Sequence, residues 1–154
     1  MAVGILSGGM AGRLFIEVRE KRGLVYRVSA SHSAARKRAA IICYAGTTTD
    51  RADETLQVMV NELRNLSKGV SEEELQRAKA DLKSRIIMSS ESSSARAGAI
   101  ISDYWNLDRV RSLEEIKASI DKVSSQDIER HLNEFPVKPI TLVTLGQKGL
   151  SIPQ

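Results

Sequence analysis

An α+β domain, two layers deep, with a mostly antiparallel sheet and helices packed on one face, is the fold class that this sequence predicts. Three observations carry it. Two apolar runs rich in strand-forming residues, 24–31 and 38–45, are separated by a link short enough for a hairpin. After residue 50, apolar residues recur at helical spacing, and three of these segments open on a serine followed three positions later by an acid. The chain has 154 residues, 42% apolar and 27% charged, which is enough to bury one core without disulfide staples.

The elements follow in order. Residues 7–21 read as a helix with Leu14, Phe15 and Val18 on one face. Gly8 and Gly9 loosen its start, and Gly23 suits the left-handed position that ends a helix. Leu24 to Ser31 reads as a strand in which Leu24, Tyr26, Val28 and Ala30 alternate with Val25, Arg27, Ser29 and Ser31. Residues 33–37 read as a turn. Arg38 to Ala45 suits a buried strand. Gly46 to Asp50 is a second turn, with Asp50 as the cap of the next helix. That helix carries the stripe Leu56, Met59, Val60, Leu63 and Leu66 and stops at Gly69.

Ser71 and Glu74 form a capping box that opens a helix with Leu75, Ala78, Leu82 and Ile86 inward. The serine-rich run 89–94 is read as continuous helix, because the apolar pattern resumes at Ala95, Ala99 and Ile100 without a proline. Ser112 opens a further helix bearing Leu113, Ile116, Ile120 and Val123. Ser124 caps another, with Ile128 and Leu132 inward, and Pro136 and Pro139 close it. Ile140 to Leu145 reads as a last strand. The order is α-β-β-α-α-α-α-β. Three strands are few for so many helices, so strands are expected to be missing from this chain or supplied by another.

Charge is uneven. Residues 1–46 hold eight bases (Arg13, Arg19, Lys21, Arg22, Arg27, Arg36, Lys37 and Arg38) and two acids, Glu17 and Glu20. Residues 47–154 hold fifteen bases and seventeen acids. The basic end could attract polyanions or acidic peptides. Only Phe15 and Tyr26 lie among those bases, too few aromatics for stacking on nucleic acid, so no nucleic acid is expected. No apolar run approaches the ~18 residues of a membrane helix, so no membrane is expected. The first residues lack the basic and apolar regions of a signal peptide. A single cysteine, Cys43, excludes an intrachain disulfide and permits a reducing compartment. The cellular location is not specified.

No complete metal motif is present. The two histidines, His32 and His131, lie far apart, and neither H-E-x-x-H nor H-x-x-E-H occurs. A catalytic zinc needs three protein ligands. Cys43 and His32 could formally pair as nucleophile and base, but Cys43 lies in the most apolar strand and reads as core. The glycines from Gly8 to Gly12 match neither phosphate-binding pattern and read as positions of close backbone approach.

The run from Leu6 to Ser29, LSGGMAGRLFIEVREKRGLVYRVS, carries a glycine-rich opening, then R-L-F, then R-E-x-x-G-L-x-Y. Tyr44-x-Gly46-Thr47, the segment Val70 to Lys79, the run Glu91 to Arg96, Ser112 to Glu115 and Ile120 to Ser124 continue it in order. This succession resembles the pitrilysin/insulinase-type zinc metallopeptidase family, which includes mitochondrial processing peptidase. The resemblance covers nearly the whole chain and is to the C-terminal half of the family's paired domains, the half that usually lacks zinc ligands. It implies a half-domain over 1–154 whose leading strands are absent.

The resemblance also implies site residues. In that family an arginine and a tyrosine from this half reach the zinc-bearing half and hold substrate at the scissile bond. The matching positions are Arg19 and Tyr26. An arginine offers rigid paired donors, and a phenol can donate to a developing oxyanion. Arg19 has no carboxylate three or four residues away, so a helix ion pair does not occupy it. The bland alternatives are a solvated cation near a helix C-terminus and a half-buried strand tyrosine. The implied partners are a zinc-bearing peptidase domain and a peptide substrate. The implied cofactor is a zinc held by that partner, with none in this chain, which alone should hydrolyse nothing. The alternative is a catalytically silent structural or interaction subunit of the same fold. Unpaired sheet edges further predict a homo-oligomer.

Overall fold

The computed structural model describes residues 1–36 and 38–153. The N-terminal segment is not the single helix expected over 7–21. It is a short helix α1 (Ala2–Ser7), a 3-10 turn (Gly9–Ala11) and a π-helix (Phe15–Glu20). The glycines explain the break. A Cβ on Gly12 would stand 2.8 Å from the Leu6 carbonyl oxygen and 2.9 Å from the Gly8 nitrogen. Only glycine lets the chain fold back on α1 so closely. The fold-back delivers Ile5, Leu6, Leu14 and Val18 to one buried cluster, while Phe15 stays half-exposed.

Two long strands follow, β1 (Val25–Ala35) and β2 (Arg38–Thr47). They pair antiparallel from Val25↔Thr47 to Ala35↔Arg38. The turn expected over 33–37 is shorter, because residues 33–35 join the ladder; Lys37 lies outside the described residues. Val28, Ala30, Cys43 and Ala45 pack inward against the core. On the opposite face Ile42 and Tyr44 are exposed.

The helices after the hairpin are α2 (Ala52–Asn65), α3 (Glu72–Ser90), α4 (Ser93–Leu107), α5 (Leu113–Lys122) and α6 (Ser125–Glu134). The expected capping box at Ser71 is present: its hydroxyl accepts from the Glu74 N–H at 3.2 Å, and the Glu74 carboxylate accepts from the Ser71 N–H at 3.0 Å. Ser124 and Asp127 do the same for α6. Asp50 instead belongs to a 3-10 turn (Thr49–Arg51) ahead of α2, whose N-cap is Arg51. Met59, Leu63, Leu66, Val70, Leu75, Ala78, Ile128 and Leu132 complete the core with Leu24 and Val25. The α+β class thus holds, with helices on one face of an antiparallel pair.

Two further expectations are corrected. The helix read through 89–94 breaks at Glu91, and Ser92 caps a separate α4 by accepting from the Ala95 N–H. Serine hydroxyls there bond the preceding turn (Ser89 to Ile86 O, Ser90 to Ile87 O), which competes with continuation. The last strand, 140–145, is not a strand among the described residues. Its alternation is real, since Val143 and Leu145 are exposed while Leu142 is partly buried, but it has no ladder partner. Beyond it, Lys148 pairs with Asp53, and Arg64 donates to the Pro153 carbonyl at 2.9 Å. No described helix is long and apolar enough to cross a membrane.

Candidate functional site

The two residues singled out from sequence sit where the backbone departs from regular geometry. Arg19 lies in the π-helix, where the Lys21 N–H donates five residues back to the Ile16 carbonyl at 2.9 Å. Such widened turns are uncommon and concentrate at functional sites. Tyr26 lies at a β-bulge: Val25 pairs with Thr47 and Arg27 with Gly46, so Tyr26 is the extra residue. A bulge re-aims a side chain. Tyr26 is 87% exposed, not half-buried beside Val28 as strict alternation predicts.

The two segments are tied together. Gly23, at φ +61, reverses the chain between them. Its N–H donates to the Arg19 carbonyl at 2.9 Å, and the Leu24 N–H donates to the Val18 carbonyl at 3.0 Å. From the other side Arg51 donates to the Gly23 carbonyl at 2.7 Å, and the Thr47 hydroxyl to the Leu24 carbonyl at 2.6 Å. The buried Thr55 hydroxyl lies 3.2 Å from that of Thr47 and donates to the Arg51 carbonyl. The Gly23 and Leu24 carbonyls are therefore held by the end of β2 and the turn that leads into α2, and Thr55 links those two braces.

The electrostatics leave Arg19 available. Glu17 takes Lys21 at 2.6 Å and Arg22 at 2.8 Å. Lys21 first, then Arg22, hold its carboxyl below the ordinary carboxylate range. Among the described residues Arg19 makes no ion pair, and its guanidinium lies over the Phe15 ring at 5.0 Å from the centroid. That stacking orients a planar fork of donors without using any of them. The arrangement can hold peptide carbonyls or a carboxylate.

The other candidates are placed differently. Cys43 points into the core, and burial pushes its thiol up, the opposite of what a nucleophile needs. His131 is on the surface of α6, 5.1 Å from the Phe135 ring. Among the described residues no group of three His, Cys, Asp or Glu side chains is placed to hold a metal ion. The described residues therefore offer no ligand set for a catalytic zinc. Sequence reasoning missed the bulge, although a signal existed. Val25 and Val28 are both apolar at an odd spacing, which a regular strand cannot bring to one face.

Three comparisons relate the chain to known proteins. The pattern of the "Peptidase M16 inactive domain" matches residues 2–82, which contain the glycine opening, the π-helix and the whole hairpin. A Rickettsia bellii protein named "Uncharacterized zinc protease" is 29% identical over 147 residues, 96% of this chain and 36% of that protein. A crystal structure of a peptidase M16 inactive domain from Pseudomonas fluorescens is 25% identical, with a TM-score of 0.66 over 86% of this chain and 32% of that one. A chain of Complex III2 from Candida albicans has the same fold at 21% identity and a TM-score of 0.76, covering 86% of this chain and 34% of that one. The chain spans about a third of the length of the curated relatives it matches.

Proposed function

We propose, from the premise that this chain belongs to the peptidase M16 family and is its inactive domain, that residues 1–154 are the C-terminal, substrate-holding half of a metallopeptidase cleft. The domain that bears the H-x-x-E-H motif and the zinc is a partner, in the same protein or a second subunit. The observation that carries the reading is the pairing of irregularities. Arg19, in a π-helix and without an ion pair among the described residues, and Tyr26, seven residues on and exposed at a β-bulge, flank a reversal braced by Arg51 and Thr47.

The roles follow from the chemistry of the two groups. Arg19 donates in parallel to a carbonyl of an extended peptide and fixes its register. Tyr26 donates from its hydroxyl to the carbonyl oxygen that gains charge when the bond is attacked. A donor aimed at developing charge acts most strongly once water is excluded, which the closing partner accomplishes. This chain supplies neither the metal nor the general base.

The test is reconstitution. The purified chain is assayed on a panel of unstructured peptides, alone and with an H-x-x-E-H-bearing M16 domain. Cleavage is expected only in the mixture. Cleavage by the chain alone, abolished by a chelator, contradicts the assignment.

A further inference from the structure

We infer that the outer face of the β1–β2 hairpin is a docking surface for an acidic polypeptide segment laid out in extended conformation. The inference does not depend on the cleft assigned to Arg19 and Tyr26. Its starting point is the sequence: residues 21–49 contain six Lys or Arg and no Asp or Glu. The ladder holds two of them, Arg27 and Arg38, and its register assigns each of its residues to a face. With Val28, Ala30, Cys43 and Ala45 inward, the register puts Arg27/Gly46, Ser29/Tyr44, Ser31/Ile42, Ser33/Ala40 and Ala35/Arg38 on the outer face.

That face has three parts. Arg27 and Arg38 stand at opposite ends, both exposed and without an ion pair among the described residues. Eight strand positions separate their rows, about 26 Å at ~3.3 Å per residue. Between them Tyr44 (57% exposed) and Ile42 (54%) form a short apolar ridge. The Tyr44 hydroxyl lies 3.4 Å from where a Cβ on Gly46 would stand, so its phenol leans along the glycine toward the Arg27 row. Along β1 the ridge faces the small residues Ser29, Ser31 and Ser33, and the Ser31 hydroxyl donates to the Ile42 carbonyl at 3.4 Å.

Charge complementarity names the occupant. A peptide with carboxylates about eight residues apart and apolar side chains between them meets a cation at each end and apolar surface in the middle. Nothing on either strand repels it. Near the tip, among the described residues, Arg36 is taken by Asp108 at 2.6 Å, just past the end of α4. Duplex nucleic acid fits less well, because it carries a charge every ~1.7 Å of axis, whereas the described cations of this face, Arg27 and Arg38, stand far apart at its two ends. A second copy of the same face would set its own arginines against these.

The test uses a fluorescent twelve-residue peptide with two glutamates eight positions apart flanking a leucine-rich centre, titrated with the 154-residue chain and read by anisotropy. Binding is expected, weakening as salt rises. Replacing both glutamates by glutamine abolishes the preference. R27Q/R38Q weakens the acidic peptide about five- to tenfold, the size expected of two solvent-contacting charge pairs. R96Q/K122Q, which removes two exposed charges elsewhere, leaves it unchanged. Y44S weakens it through the apolar ridge, at unchanged circular dichroism. The proposal is overturned if the glutamine peptide binds as well, if the control variant loses as much as R27Q/R38Q, or if a duplex oligonucleotide displaces the peptide at lower concentration than the unlabelled peptide does.

Discussion

Arg13 and Glu74, sixty-one residues apart, join the N-terminal segment to α3. The Arg13 Nε donates to Glu74 Oε1 at 2.6 Å and its Nη2 to Oε2 at 2.9 Å, and the same Nη2 reaches the Gly69 carbonyl at 2.9 Å. Their side chains are 18% and 20% exposed. Arg13 above all, helped by the Ser71 N–H and hydroxyl and opposed by partial burial, lowers the Glu74 carboxyl from 4.5 to about 2. The folded value lies below the unfolded one, so the pair stabilises above about pH 4.5 and that contribution drains away as pH falls toward 2. Solvent contact holds it to about 1 kcal/mol. Urea midpoints measured from pH 6 to pH 2.5 should fall more steeply for the parent chain than for Glu74→Gln. Equal slopes would deny the pair this role. The capping box at Ser71 was legible in the sequence as a local pattern. The partner of Arg13 was not, because nothing in a linear pattern places residue 13 beside residue 74. Gly23 offers a second check: a Cβ at this position would meet no atom within 4 Å, so Gly23→Ala bears only the cost of φ +61, about 1 kcal/mol. A thermal melt reads it directly, and an unchanged midpoint contradicts it.

Among the elements, those with strong local signals were the legible ones. The stripe of α2, with Met59, Val60 and Leu63 buried, and the inward pair Ile128 and Leu132 of α6 sit where helical spacing places them. Ser71→Ala should therefore cost about 1 kcal/mol in a chemical melt, as a lost N-cap does. Leu75, 1% exposed at the first turn of the same helix, should cost ~2–5 kcal/mol when cut to alanine. A smaller loss would mean that the site collapses around the cavity. Illegible elements had tertiary causes. The π-helix ends in a reversal at Gly23 that ties the Leu24 N–H to the Val18 carbonyl and the Gly23 N–H to the Arg19 carbonyl, contacts that helical spacing does not display. Strict alternation failed at Tyr26 because the bulge resets the phase so that Val25 and Val28 both pack inward. The strand read over 140–145 has the right alternation, but a strand is a relation between two segments, and a linear pattern displays only one of them.

At the scale of the molecule the outside is as informative as the core. No residue of α4 is buried, and Ile100, Ile101, Tyr104, Trp105 and Leu107 are all exposed. An apolar helix in water marks an interaction surface. We expect the isolated chain to self-associate through it, so sedimentation velocity should show a concentration-dependent oligomer that I101S/W105S returns to monomer. A monomer at high concentration in the parent chain counts against that expectation. The outer face of the hairpin, α4 and the side chains of Arg19 and Tyr26 are exposed, which is where the proposed partner and substrate would meet this half. The most direct test of the central claim is kcat/KM for peptide cleavage by the assembled peptidase carrying Arg19→Ala or Tyr26→Phe. Tyr26→Phe should lower it about 100-fold, the loss expected for one donor to a developing oxyanion, with assembly intact by sedimentation. Unchanged turnover in a correctly assembled enzyme would contradict the account and leave this half a scaffold.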